Sequence, residues 1–322
     1  MRRRASGAAL LAAMLVVTLV ATFAASALWQ QWRAIEVETA ERARVQSHWI
    51  LQGALDWARL ILREDSIAAN SDGTDNLAEP WALPLEEARL STFLAAEAGS
   101  TTVADASTDT SAAFLAGSMA DMQARLNLRN LVNPEGSPTS AAAPRQFARL
   151  FEYLGLPPPQ LEHLIAQLRR ALAQEDTEGN APLLPETMEQ LGWLDLPTET
   201  ITALAPYVTL LPIPTKINLN TASVEVIWAS SDGLDMAQAR SLVQARQTQH
   251  WRSITDAARF VGADTAESPI NGHIHSVSSS YFEVTGRLRL DAAFVQQRSL
   301  VLKQRAEAQT LWKTTMSAQH AP

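Results

Sequence analysis

The chain has 322 residues, a formal net charge of −8 and no cysteine. Zero cysteines exclude disulfides, thiol catalysis and thiolate metal sites, and leave the chain safe in an oxidising compartment. The acidic balance argues against a phosphate-binding surface, so nucleic acid is not an expected partner, and the length allows about two domains beyond an anchor.

Arg2, Arg3 and Arg4 are followed by Gly7 and then by an apolar run from Ala8 to Leu28, with no charge before Arg33. As a helix that run rises about 31 Å, enough to cross a hydrocarbon core of about 30 Å. The arginines lie on one side of it, which places the N-terminus in the cytoplasm and the bulk of the chain outside. Trp29 and Trp32 come next, where amphipathic rings settle at a membrane interface. A basic leader ending in Gly and joined directly to a membrane-length helix is laid out like a type IV pilin-like precursor. The competing reading is a secretory signal cut near Ala25-Ser26-Ala27, which would release a periplasmic enzyme beginning near Leu28. Signal peptides have a shorter apolar core and end in a helix break, whereas no Pro or Gly stands between Ala8 and Gln52.

The helical pattern continues to about Leu62. Ile50, Ala54, Trp57 and Ile61 form one ridge and Leu51, Leu55, Ala58 and Leu62 the next, spaced to share a face. Glu38 and Arg42 sit at a favourable i, i+4 spacing on the solvated side. A helix from Ala8 to Leu62 is about 80 Å long, and its lower half needs a globular domain to cover its apolar face.

Residues 70–76 form a polar, turn-rich loop, and 97–113 are rich in Ser, Thr and Ala with little periodicity, which predicts a long loop or disordered insert. Met122, Ala124, Leu126 and Leu128 alternate with Gln123, Arg125, Asn127 and Arg129, which predicts a half-buried strand. Pro134 to Pro144 is a second linker. From Gln146 to about Val261 the pattern is helical. Phe147, Leu150, Phe151 and Leu154 make one face and Leu161, Leu164, Ile165, Leu168 and Leu172 another, separated at Gly155-Leu-Pro-Pro-Pro159. Strand alternation returns with Phe282, Val284, Leu288 and Leu290, and 294–304 and 308–316 read as further antiparallel strands. Strands on both sides of a helical block predict an α+β core carrying a large helical insertion.

Motifs for chemistry are poor. There is no G-x-S-x-G and no Walker loop, and the six histidines are scattered. His273 and His275 would share a strand face but have no carboxylate or third histidine nearby in sequence. Glu86-Glu87 reads as polar helical surface. The chain is therefore read as non-enzymatic. The oxygen-rich loop Asn70–Glu79 offers Asp72, Asp75 and Glu79 as hard ligands for calcium, without EF-hand spacing.

The segment from Ile217 to Arg246 resembles a helix-hairpin-helix, with helices near Val224–Ala229 and Met236–Arg246 around Asp232-Gly-Leu. Such a module holds phosphates through backbone N–H groups and normally uses two glycines with basic residues nearby. Here Gly233 is flanked by Asp232 and Asp235, which would repel a phosphate. A structural hairpin is the expectation, with Asn220 or Thr221 as N-cap and Leu219, Val226 and Leu242 as core. The alternative of a membrane-anchored nucleic-acid-binding protein using 217–246 rests on this segment alone.

Several stretches together carry a family resemblance. Gly7 followed by Ala-Ala-Leu-Leu, Trp29-Gln-Gln-Trp-Arg, Leu55-Asp-Trp-Ala-Arg-Leu-Ile-Leu-Arg63, Asp121-Met-Gln-Ala-Arg-Leu-Asn-Leu-Arg-Asn130 and Ile217-Asn-Leu-Asn-Thr-Ala222 occur in this order. The chain resembles the K-class minor pseudopilin of the bacterial type II secretion system. The resemblance implies a pilin-like α+β fold, a long N-terminal transmembrane and amphipathic helix on an antiparallel sheet, with a large inserted all-helical domain. It implies a leader peptide at 1–7, a helix at 8–64 with 8–28 transmembrane, a core at 65–135 and 272–322, and the insert at 136–271. It also implies a tip position in the pseudopilus, where the protein initiates assembly and supports export of folded proteins across the outer membrane. The implied partners are I- and J-class minor pseudopilins, other pseudopilins, prepilin peptidase and inner-membrane lipid, with the globular part in the periplasm of a bacterial cell. Prepilin peptidase would cut between Gly7 and Ala8 and the new terminus would be N-methylated. Most members of the wider class carry Glu as the fifth processed residue, a position that falls on Ala12 here. A buried carboxylate in lipid is expensive unless paired with a neighbouring subunit's amine, so its absence suits a subunit with nothing above it. Calcium is the one cofactor the resemblance raises, and the family's ligands do not map onto this chain residue by residue.

Overall fold

The structure, a computed structural model, describes residues 6–67, 72–90, 113–132, 141–173, 181–262, 268–290, 293–305 and 307–318. The leader arginines, most of the 97–113 stretch, much of the second linker and the first residues of the 70–76 loop lie outside the described residues.

Helix α1 runs unbroken from Ser6 to Ile67. Among the described residues the side chains of Ala8 to Arg42 are exposed, whereas Leu51, Leu55, Ala58 and Leu62 are buried. Those four stand on the ridge predicted from the 3.6-residue period. They pack on a sheet built from β1 (Leu85–Arg89), β2 (Ala113–Asp121), β7 (Tyr281–Leu290), β8 (Ala293–Gln304) and β9 (Glu307–Ala318), in that spatial order. All four pairings are antiparallel, with Ala113 opposite Leu290 and Asp121 opposite Phe282 along β2 and β7. Antiparallel sheets need cover on one face only, and α1 provides it.

A glycine pair lets the helix settle. Gly117 lies opposite Gly286, and a Cβ on Gly286 would meet Leu51 Cδ2 at 3.0 Å. Nearer the helix end, Trp81 is buried edge-on against Phe282 with ring centroids 4.9 Å apart. Arg59 Nε donates to the Ala308 carbonyl at 2.6 Å, tying α1 to β9.

A second apolar cluster lies under the helical layer and runs from Leu126 to Val277, beyond 136–271 at both ends. Its helices are α2 (Ala143–Tyr153), α3 (Pro158–Ala173), α4 (Thr198–Leu204), α5 (Val224–Ser230), α6 (Met236–Thr248) and α7 (Ile254–Phe260). Phe147, Leu150 and Phe151 on α2 and Leu161, Leu164 and Leu168 on α3 are buried, as the two predicted faces require. Gly155, at φ +67°, makes the left-handed turn between them. Leu219, Val226 and Leu242 are buried core. Two short parallel ladders run through this layer, β3 (Leu126–Asn127) with β4 (Val208–Thr209) and β5 (Ile217–Asn218) with β6 (His275–Ser276).

Three local expectations differ. The alternating stretch 122–128 is not one strand: β2 ends at Asp121 and single 3-10 turns follow at Met122–Ala124 and Leu128–Asn130. The Asp121 side chain accepts from Gln123 N and the Asn127 side chain from Arg129 N, so each bends the backbone away from a ladder. Glu86 and Glu87 lie on strand β1, where Glu87 pairs with Arg289 at 2.6 Å across the sheet. The N-cap of α5 is Ser223, because the Asn220 and Thr221 side chains are committed to distant partners.

Candidate functional site

The exposed arm of α1 is built for an apolar solvent. Leu10, Leu15, Val20 and Phe23 are all exposed, on a helix long and apolar enough to cross a membrane. Its few polar side chains are satisfied within the helix: Thr18, Thr22 and Ser26 hydroxyls donate to the Leu15, Leu19 and Phe23 carbonyls at 2.9, 2.8 and 3.1 Å. That is what lipid demands, since no water is present to pair them. Gly7 and Ala8 lie in the first turns of α1 and Ala12 on the exposed arm. At the end of the apolar run the Arg33 guanidinium stands 5.7 Å from the Trp29 ring, a cation–π pair suited to the polar boundary.

The two internal sequence blocks meet at a buried polar junction between sheet and helical layer. Asp121 Oδ2 accepts from Ser279 Oγ and Thr221 Oγ1, both at 2.6 Å, and from Asn218 Nδ2 at 3.0 Å. Its other oxygen accepts from Gln123 N at 2.7 Å. Asn218 Nδ2 also reaches the Asp75 carbonyl and Ser279 Oγ, each at 2.9 Å. Asn220 exchanges two bonds with the Trp251 backbone, and Asn130 does the same with Thr215. Asn127 accepts from Leu211 N and donates to the Ile213 carbonyl. These amides do the work of ladder hydrogen bonds where irregular backbone segments converge, as buried peptide groups require. Burial pushes the Asp121 carboxyl above its usual range, against the pull of its hydroxyl and amide donors.

The predicted calcium loop splits. Asp72 turns to His250, 2.7 Å away, and that hydrogen bond is the main reason its carboxyl is lowered to about 2. Asp75 and Glu79 instead converge with Asp65 from the last turn of α1, ligand oxygens of the three lying within 4.8 Å of one another. A metal does not fit the set as it stands. Lys303 Nζ bonds Asp65 at 2.9 Å and Asp75 at closer range. Glu79 accepts from Asn76 Nδ2 at 2.6 Å and Trp81 Nε1 at 2.5 Å, one donor to each oxygen, which leaves each a further lone pair. Burial raises the Glu79 carboxyl to about 7. Burial alone would lower the Lys303 ammonium, but Asp75 and Asp65 more than offset it and hold the amine above its ordinary range. Sequence reasoning missed Asp65 and Lys303. The available signal was alternation in β8, which puts Lys303 on the same face as buried Val301.

The hairpin at Gly233, φ +84°, offers carbonyls as well as amides. Arg149 from α2 donates to the Ser231 and Leu234 carbonyls at 2.7 and 3.2 Å and stacks 4.5 Å from the Trp228 ring. Asp232 stays exposed at the tip and Asp235 caps α6 through Gln238 N. His273 and His275 do not form a pair. His275 is buried against Ser230 and Ser231 at 3.0 and 3.2 Å, while His273 is exposed in the preceding turn.

Two family models described as "Type II secretion system (T2SS), protein K" match residues 124–213 and 217–276. The type II secretion system protein K of Pseudomonas aeruginosa is 26% identical over 314 residues, 90% of this chain and 86% of the relative. The chain belongs to the type II secretion system protein K family. A second protein K, from Pectobacterium carotovorum subsp. carotovorum, is 24% identical over 335 residues, covering 94% of this chain and 93% of its own. The fold is also that of a chain in the crystal structure of the GspK-GspI-GspJ complex from enterotoxigenic Escherichia coli. That match has a TM-score of 0.62 at 19% identity, over 87% of this chain and 99% of that one. The protein K models span the amide-bearing residues Asn127, Asn130, Asn218 and Asn220, while their partners Asp75, Asp121, Thr215 and Ser279 lie outside the matched ranges. As a protein K, the chain is a minor pseudopilin of the type II secretion system.

Proposed function

We propose that this minor pseudopilin is a non-enzymatic assembly protein that heads the pseudopilus. It nucleates the fibre with I- and J-class minor pseudopilins and thereby supports export of folded proteins. The carrying observation is α1, whose apolar arm is uncovered from Ala8 onward while its other half is clamped to the sheet. An uncovered arm with lipid-ready polar groups supports insertion in the inner membrane, N-terminus in the cytoplasm and globular part in the periplasm. The partnership is the one named for the similar Escherichia coli chain, which forms a complex with GspI and GspJ.

Processing between Gly7 and Ala8 by prepilin peptidase, with methylation of the new terminus, follows from the basic leader ending in Gly directly before the apolar run. In this reading 1–7 is the leader, 8–64 the helix with 8–28 in the membrane, 65–135 with 272–322 the pilin-like core, and 136–271 the insert. The insert would obstruct a subunit stacked above, and Ala12 leaves no carboxylate to recruit one. Arg149 holding the hairpin carbonyls, with Asp232 at its tip, supports a structural hairpin in place of a phosphate site.

Mass spectrometry of the mature N-terminus together with copurification of I- and J-class homologues tests the proposal. A terminus at Ala8 and a complex of the three chains are expected. A terminus near Leu28, or no binding to either homologue, would sink it. Ala12→Glu is expected to slow fibre initiation, because an intramembrane carboxylate costs about 2.5–3.5 kcal/mol on insertion scales. Fibres carrying the Ala12→Glu chain along their length would refute the tip position.

A further inference from the structure

We infer that Lys303 is the resident cation of the Asp65–Asp75–Glu79 cluster, that it does there what a divalent metal would do, and that removing its ammonium converts the cluster into a divalent-cation site. The ammonium lies against two of the three converging carboxylates. It pairs with Asp65 and Asp75, and its side chain is only 9% exposed, against 16% and 3% for its partners. The Phe282 ring flanks it with its centroid 5.1 Å from Nζ. Lys303 is fixed at its own backbone as well, N–H donating to the Ser280 carbonyl at 2.7 Å.

This one positive charge joins three parts of the molecule. Asp65 belongs to the last turn of α1, Asp75 and Glu79 to the loop that follows, and Lys303 to β8. Asp75 in turn is held by Val277 and Ser279 backbone and passes its carbonyl to Asn218 of the polar junction. The clamped half of α1, the sheet and the helical layer therefore share one electrostatic tether. Hard divalent cations tether in the same manner, gathering 6–8 oxygen ligands at about 2.3–2.6 Å. Calcium and the lysine cannot occupy the cluster together, because both would need the Asp65 and Asp75 oxygens. Without the ammonium, three carboxylates remain with ligand oxygens within 4.8 Å of one another.

The test uses the full chain in detergent micelles, melted in chelator and in millimolar calcium chloride, with terbium luminescence excited through tryptophan as a direct probe. Trp81, bonded to Glu79, is the sensitiser next to the cluster. Wild type is expected to melt at the same temperature with and without calcium. Lys303→Met is expected to melt at least about 5 °C lower in chelator, because breaking a buried ion pair leaves uncompensated charge. Calcium should restore it and terbium emission should rise, and Asp65→Asn in the same chain should abolish both responses. A wild-type melting temperature raised by calcium, with the rise lost in Asp65→Asn, would overturn the inference. So would a Lys303→Met chain that matches wild type in chelator, or one that calcium and terbium leave unchanged.

Discussion

Removing the Asp121 carboxylate should unfasten the junction between sheet and helical layer. Asp121 accepts four hydrogen bonds in a fully buried site, from Ser279, Thr221, Asn218 and Gln123. In Asp121→Ala, Thr221 Oγ1 still has the Asn218 carbonyl at 3.4 Å, and Asn218 Nδ2 still has the Asp75 carbonyl at 2.9 Å. The Gln123 N–H and the Ser279 hydroxyl proton are left without an acceptor. Two orphaned buried donors cost about 1–3 kcal/mol each, and release of a carboxylate that burial disfavours returns part of it, for a net loss of about 3 kcal/mol. In a domain this large that is a fall of about 6–12 °C in melting temperature. Asp121→Asn keeps one acceptor oxygen and turns its amide toward a single donor, so it should lie midway. Thermal unfolding of the full chain in micelles, followed by near-ultraviolet circular dichroism, reads both. An Asp121→Ala chain within about 2 °C of wild type, or equal to Asp121→Asn, would refute the account of the junction as an acceptor-centred hub.

His275, buried and held neutral, has its imidazole lowered from 6.5 to about 4, chiefly by burial. The unfolded chain takes up that proton first, so the contribution is whole above pH 6.5 and is lost as pH falls towards 4, about 3 kcal/mol in all. Glu79, raised to about 7, works the other way, adding stability as pH falls from 7 to 4.5. The difference between wild type and His275→Gln across pH 4 to 7 isolates the histidine, and parallel curves for the two chains would reject its role. Gly286→Val drives a branched side chain into Leu51 and should cost about 1–3 kcal/mol of packing. Faster proteolysis between α1 and the sheet would report it, and an unchanged cleavage rate would count against close approach at Gly286.

The helix and its buried ridge were legible because period 3.6 continued across the whole clamped segment from Leu51 to Leu62. The long strands were legible for the same kind of reason, since Phe282 to Leu290 alternates in and out of one core. The stretch after Asp121 has the same alternation but folds otherwise, because Asp121 and Asn127 offer the backbone side-chain acceptors that outcompete a ladder. The junction was visible only as two amide-rich blocks about ninety residues apart, and nothing local says that Asn218 answers Asp121. The acidic cluster was half visible. Asp75 and Glu79 stand in one loop, but Asp65 lies on the helix before it and Lys303 stands 228 residues beyond Asp75 on β8. The hydrogen bond that takes Asp72 out of the cluster comes from His250, in the loop after α6.

The unbroken course of α1 also gives the molecule leverage. Clamping begins near Ser47, and from there to Ala8 the arm measures about 59 Å at 1.5 Å per residue. Hinged at the glycine-lined seat beneath Leu51, a tilt of about 5° swings Ala8 through about 5 Å. A tilt of that size is small beside the range of about 0–40° seen for membrane helices. Sub-ångström settling of Leu51, Leu55 and Ala58 on the sheet is thus magnified several-fold at the far end. With no proline from Ala8 to Ile67 to kink it, the arm continues as one helix into the half that packs on β7 and β8.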